Sequence, residues 1–218
     1  MKYPSLGFAL LIAGLAIAVQ VDNVNASSSY TSEATKEAYA TFESRSGGIT
    51  TSVEINVQEV ERTTPEGSEH GLHAGIEIIQ EDSRGKHDRM INVAGSMDTE
   101  AGAFVLDPDL TSGKIATVIP VCGARAGHDA RLKQRPFEDC FDVQVSLEWV
   151  GTGELYASSG EDQYPAAACM IHVTSEFETR TAHATGTVLV GKTNLAAAGS
   201  LSSMASTYAG TTTATCPD

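Results

Sequence analysis

The chain has 218 residues and a formal charge of −14, from 28 acidic against 14 basic side chains, with four cysteines and one tryptophan. That length fits one domain with a sizeable core. With no basic cluster denser than the scattered Arg131, Lys133 and Arg135, the charge balance excludes counterion-release binding to nucleic acid and disfavours an anionic membrane surface.

Lys2 gives a small basic start, and the apolar run Leu6 to Val19 is followed by polar residues 20–25 and the small Ala26. This is the pattern of a secretory signal peptide, and the run is short for a bilayer span. The expected organisation is therefore a signal peptide over 1–26 and a single all-β domain over 27–218, secreted or extracytoplasmic, with no stable membrane insertion after signal removal.

Ser32 to Ala40 (SEATKEAYA) is the best helical candidate beyond the signal, with Ser32 as its cap. It lacks large apolar residues to bury, so a turn or two of helix is expected at most. From there on, alternation with a period of two dominates. Val53, Ile55 and Val57 alternate with polar neighbours, and Phe141, Val143, Val145, Leu147 and Trp149 do so more regularly. Such segments bury one face and hydrate the other. Further strands are expected at Ala38–Arg45, Leu72–Gln80, Arg89–Ala94, Gly102–Leu106, Lys114–Val121, Glu154–Ala157, Cys169–Phe177, Ala184–Val190 and Ser200–Ala209. Connections such as Ser46-Gly47-Gly48, Thr64-Pro65-Glu66-Gly67, Asp107-Pro108-Asp109 and Gly151-Thr152-Gly153 carry turn residues. About ten short strands at this spacing predict an antiparallel β-sandwich or barrel. Gly123 to Glu138 lacks alternation and reads as a loop between two cysteines.

Four cysteines in an exported chain predict two disulfides. Of the three possible pairings, Cys122–Cys140 and Cys169–Cys216 close separate segments, a loop and the C-terminal tail. No CxxC is present, so a zinc ribbon or a thioredoxin-like redox pair has no support.

Few residues point to chemistry. Glu69-His70-Gly71-Leu72-His73-Ala74-Gly75 resembles the copper-ligand strand of copper/zinc superoxide dismutase, but Gly75 stands where that family needs another histidine. A metal site at His70 and His73 is the weaker alternative, because two residues three apart on a strand point to opposite faces. No cofactor is expected. Asp107 to Thr111 opens like a calcium loop, yet Ser112 and Val118 stand at the glycine and glutamate positions, so a turn is expected. His87-Asp88-Arg89 and His128-Asp129-Ala130-Arg131 read as charged loop tips. The GxSxG, HExxH, P-loop and GxGxxG signatures are absent. A glycosidase carboxylate pair is set by fold, not spacing, and so stays open. Trp149 lies on the apolar face of its strand and is assigned to the core.

Asp109 to Val118, then Val145 to Leu155, a strand led by Cys169 and a Gly/Thr/Val strand over 187–190 together resemble uncharacterised secreted bacterial all-β proteins. The likeness covers about half of the mature chain. It implies export and an all-β fold, and carries no catalytic residue. The reading that follows is a secreted, non-enzymatic binding or cell-surface interaction module for an unknown extracellular ligand. Its alternative is a secreted carbohydrate hydrolase, or a metal-assisted enzyme using His70 and His73.

Overall fold

The computed structural model describes residues 29–82, 89–100, 102–126 and 140–216. The expected signal peptide, its cleavage point, His87-Asp88 and His128-Asp129-Ala130-Arg131 lie outside them, and Arg89, expected in a loop tip with His87, opens a strand. The described residues form antiparallel strands and no helix: β1 (Ser29–Ser46), β2 (Ile49–Thr64), β3 (Gly67–Asp82), β4 (Arg89–Asp98), β5 (Phe104–Leu106), β6 (Ser112–Ala126), β7 (Phe141–Gly151), β8 (Tyr156–Ala166), β9 (Cys169–Val190), β10 (Thr193–Asn194) and β11 (Ser202–Thr215).

Hydrogen-bonded pairing runs β1-β2-β3-β4-β6-β7-β9-β11 and returns to β1, a closed up-and-down circuit of eight strands. Three further strands extend this circuit: the short β5 shares the β4 edge of β6, the longer β8 shares the β7 edge of β9, and the two-residue β10 pairs the end of β9. Closure removes the open edges that an antiparallel sheet otherwise exposes.

Turn chemistry sets the registers. Gly47 and Gly48, both at positive φ (57° and 83°), make the two-residue turn that pairs Ser46 with Ile49, as a type I′ hairpin requires. Asp107 closes the expected turn: its carbonyl accepts from Leu110 N–H at 2.9 Å and its carboxylate from the Ser112 hydroxyl at 2.5 Å. The Asp107 oxygens that a calcium loop would point at an ion thus hold the chain reversal.

The core fills the circuit. Phe42, Val53, Ile55, Val57, Leu72, Ile76, Ile119, Val143, Leu147, Trp149 and Val188 are all buried, and the alternate residues of β2 and β7, such as Glu54, Asn56, Gln144 and Glu148, face outward and are exposed. Polar-out and apolar-in is the reverse of a transmembrane barrel. No helix among the described residues is long and apolar enough to cross a membrane.

Four sequence expectations change. The loop expected over Gly123–Glu138 is strand in its first part, since β6 runs to Ala126 and pairs β4 there. Ser32–Ala40 is not helical; it lies within β1, because Ala38 and Ala40 alternate into the core and both backbone edges pair, with β2 and β11. Cross-strand pairing there outweighs the intrinsic helix preference of Glu and Ala. The two segments Cys169–Phe177 and Ala184–Val190 are one continuous strand, β9. Of the expected strand Glu154–Ala157, Glu154 and Leu155 are connection, whereas Tyr156 and Ala157 open β8, which runs to Ala166. Both expected disulfides are present, Cys122–Cys140 and Cys169–Cys216.

Candidate functional site

The strands differ in length, and the site follows from that. Trp149 closes the β7 end of the circuit, and Phe104 meets its ring edge to face with centroids 6.5 Å apart. Leu110, buried at φ 55°, plugs the same end. Beyond this floor β4, β6 and β7 stop, whereas β8, β9, β11, β1, β2 and β3 continue side by side. The result is an open six-stranded wall, roughly 24 Å across five spacings of about 4.8 Å.

Register assigns the faces of this wall. Ala38 and Ala40 point into the core, so Ala34 and Ser32, of the same parity on β1, continue the inner face. One cross-strand row on that face is Ser159, Glu176, Ala209, Ala34, Glu61 and His70. The next is Glu161, Thr174, Thr211, Ser32, Thr63 and Ser68. The residues of these rows from β8 to β2 line a trough of about 730 Å³, with His70 and Ser68 of β3 at its margin. Its floor is small or hydroxyl-bearing, with Thr174 and Thr211 hydrogen-bonded at 2.6 Å, and Glu61, Glu161 and Glu176 stand exposed along it.

Charge is organised at the base of the trough. Glu59 accepts from Lys36 Nζ at 3.0 Å on one carboxylate oxygen and from His70 Nε2 at 3.1 Å on the other. Burial of Glu59 by itself raises its pKa, but the hydrogen bonds and charges of Lys36 and His70 prevail and lower it. Arg180, on the same face beside Ala205, has a buried Nε without a hydrogen-bond partner among the described residues. On the β8 side Glu161 accepts from His172 Nε2 at 2.8 Å.

The opposite face of the wall is knitted to itself. Arg62 donates to Glu33 through Nε at 3.1 Å and Nη2 at 2.7 Å, and Tyr208 lies over Gly210, where a Cβ would meet its ring. A groove further along that face, on β2, β3 and β4 beside Gly75 and Gly95, is shallow and open.

The two histidines singled out in the sequence part company. His70 faces the trough and bonds Glu59, whereas His73 is on the other face, its Nδ1 3.3 Å from Asp98 Oδ1. Among the described residues no three His, Cys, Asp or Glu side chains converge as metal ligands. The trough glutamates and hydroxyls were not singled out in the sequence. Their signal is weak: segments 156–166 and 207–215 are strand-like but have no apolar face, which marks a wall wetted on both sides. Comparison with protein-family models, curated proteins and solved structures finds no match.

Proposed function

We propose that this protein is a secreted, non-enzymatic binding module that holds an extended, hydroxyl-rich ligand, a neutral or amine-bearing glycan, in the inner trough of the six-stranded wall. One observation carries this reading: Glu61, Glu161 and Glu176 stand exposed on one face above a floor of Ala34, Ala209 and paired threonine hydroxyls. Carboxylates and hydroxyls in that arrangement accept and share hydrogen bonds with sugar hydroxyls, charge-assisted where the acceptor is ionised. The same carboxylates repel phosphate-bearing partners. The trough is open to water and so does not provide the water-excluding enclosure that favours chemistry. Export rests on the basic start and apolar run of residues 2–19, on the two disulfides, which suit an oxidising compartment, and on the resemblance to secreted bacterial proteins.

Hydrolysis is the second reading, and a specific observation favours it. Glu161 and Glu176 are diagonal neighbours across β8 and β9, a spacing of roughly 7–8 Å, within the range of an inverting carboxylate pair. A glycan panel with a hydrolysis readout separates the two. Saturable binding without turnover, weakened at least tenfold by Glu61→Gln or Glu176→Gln, is expected. Turnover abolished by Glu161→Gln or Glu176→Gln establishes the hydrolase instead, and absence of both binding and turnover overturns the site.

A further inference from the structure

Closure of the circuit leaves one long strand with a bare edge. β8 pairs β9 along its whole length, and among the described residues no strand pairs with its other edge. All of β8 is exposed up to Ala166, including Tyr156 at 61% and Tyr164 at 42%. The two-residue turn Ala167-Ala168 makes Ala166 and Cys169 a hydrogen-bonded pair. Even-numbered β8 residues therefore direct their backbone groups at β9, and Ala157, Ser159, Glu161 and Gln163 direct theirs at the bare edge. Two details agree. Pro165, which has no N–H to offer, falls on the outward set, where proline is tolerated in an edge strand. The outward N–H of Gln163 is taken up by the Asp162 carboxylate at 2.8 Å, a local substitute for a missing ladder partner.

We propose that β8 is a homodimerisation edge, and that two copies pair β8 antiparallel about a two-fold axis through Gly160. The occupant follows from self-complementarity. Centring on Gly160 pairs Ser159 with Glu161 of the second copy, Ala157 with Gln163, Ser158 with Asp162 and Tyr156 with Tyr164. Each carboxylate then meets a hydroxyl, the exposed tyrosines meet each other on one face, and the unsubstituted Gly160 lies against its own copy. Shifting the centre to Glu161 or Asp162 sets a carboxylate against itself, which cross-strand pairs disfavour. In the Gly160 register Ser159 and Glu161 exchange both backbone hydrogen bonds with the second copy, as do Ala157 and Gln163 once the Gln163 N–H leaves the Asp162 carboxylate, and the edge hazard disappears. Because a two-fold normal to the sheet preserves faces, the two troughs become one continuous surface. The chain charge of −14 opposes association, so added salt tightens the dimer by screening.

Sedimentation of the full secreted chain at two salt concentrations, together with cysteine trapping, tests this. Ser159→Pro deletes one outward N–H and leaves the β8–β9 ladder intact, and it is expected to raise the dimerisation midpoint at least about tenfold. Gly160→Cys places two thiols in a non-hydrogen-bonded pair, about 4.5 Å between Cα atoms, close enough for a disulfide. The only atom within 4 Å of a Cβ there is the flexible Ser175 hydroxyl, so the variant should fold. It is expected to cross-link faster than Ser158→Cys or Asp162→Cys. A monomer at every concentration, a dimer indifferent to Ser159→Pro, or faster trapping at 158 or 162 overturns the proposal.

Discussion

The indole of Trp149 on β7 donates through Nε1 to the backbone carbonyl of Tyr39 on β1 at 3.0 Å, across the interior of the circuit and 110 residues away in sequence. The flanking Ala38 and Ala40, both fully buried, are small enough to let the ring reach the β1 backbone. Trp149→Ala is expected to cost about 3–5 kcal/mol, the range for an aromatic truncated in a core. Trp149→Phe is expected to cost less, losing the hydrogen bond but keeping ring packing. Denaturant unfolding measures both, and native fluorescence should show the short-wavelength emission of a buried indole.

Gly95 marks a close backbone contact between the neighbouring strands β4 and β6. A Cβ there would run into the Pro120 backbone carbonyl, beside the point where β6 changes partner from β7 to β4. Backbone cannot yield as a side-chain tip can, so Gly95→Ala is expected to destabilise by about 1–3 kcal/mol. Gly71→Ala, with nothing within 4 Å of the added methyl, is the matched control.

Two carboxylates give opposite pH signatures. The lowered pKa of Glu59 means that its contribution is fully present above the ordinary value of 4.5 and is lost as pH falls through the folded value below it. Lys36→Met should therefore flatten the acid limb of the stability profile. Burial raises the pKa of Glu37, partly offset by a hydrogen bond from Asn56. Here the folded state holds its proton longer, so stability falls as pH rises from 4.5 through the raised value. Glu37→Gln should stabilise at neutral pH and lose that advantage in acid. Thermal unfolding between pH 3 and 7, a range of about four units around these values, reads both signs.

His70 and His73 should behave independently, because they lie on opposite faces of β3. His73→Ala is expected to change stability by no more than about 0.5 kcal/mol, as for most exposed substitutions. His70→Ala removes one of the two partners of Glu59 and is expected to raise the pKa of that carboxylate. Elemental analysis should find no stoichiometric zinc or copper that the double variant loses; finding it would restore the metal-site alternative.

Thiol titration should find no free cysteine in the native protein, and non-reduced peptide mapping should recover both bridges. Chain-entropy reasoning ranks them. Removing Cys169–Cys216, with a sequence separation of 47, should cost about 4 kcal/mol and removing Cys122–Cys140, separation 18, about 3 kcal/mol, as upper figures.

Sequence alone determined what depends on near neighbours. Alternation in β2 and β7 named the core residues Val53 to Val57 and Val143 to Trp149, because a period of two is enforced by the pleat wherever one face is buried. Glycine pairs and Asp-Pro named the turns, since φ preferences are local. Cysteine pairing was legible because each bridge closes a separate stretch of chain. Tertiary structure decided what depends on strands distant in the chain. Ser32–Ala40 carries a helical composition and becomes strand because β2 and β11 claim both of its edges. The trough was invisible because Glu61, Glu161, Glu176 and Thr211 come from four strands and share a face only through register. His70 and Glu59 meet for the same reason, and β8 finds its place on the edge of β9 only because β7, which shares that edge, ends at Gly151. Local chemistry specifies which residues face inward; only the closed pairing of strands of unequal length specifies where the wall outruns the core.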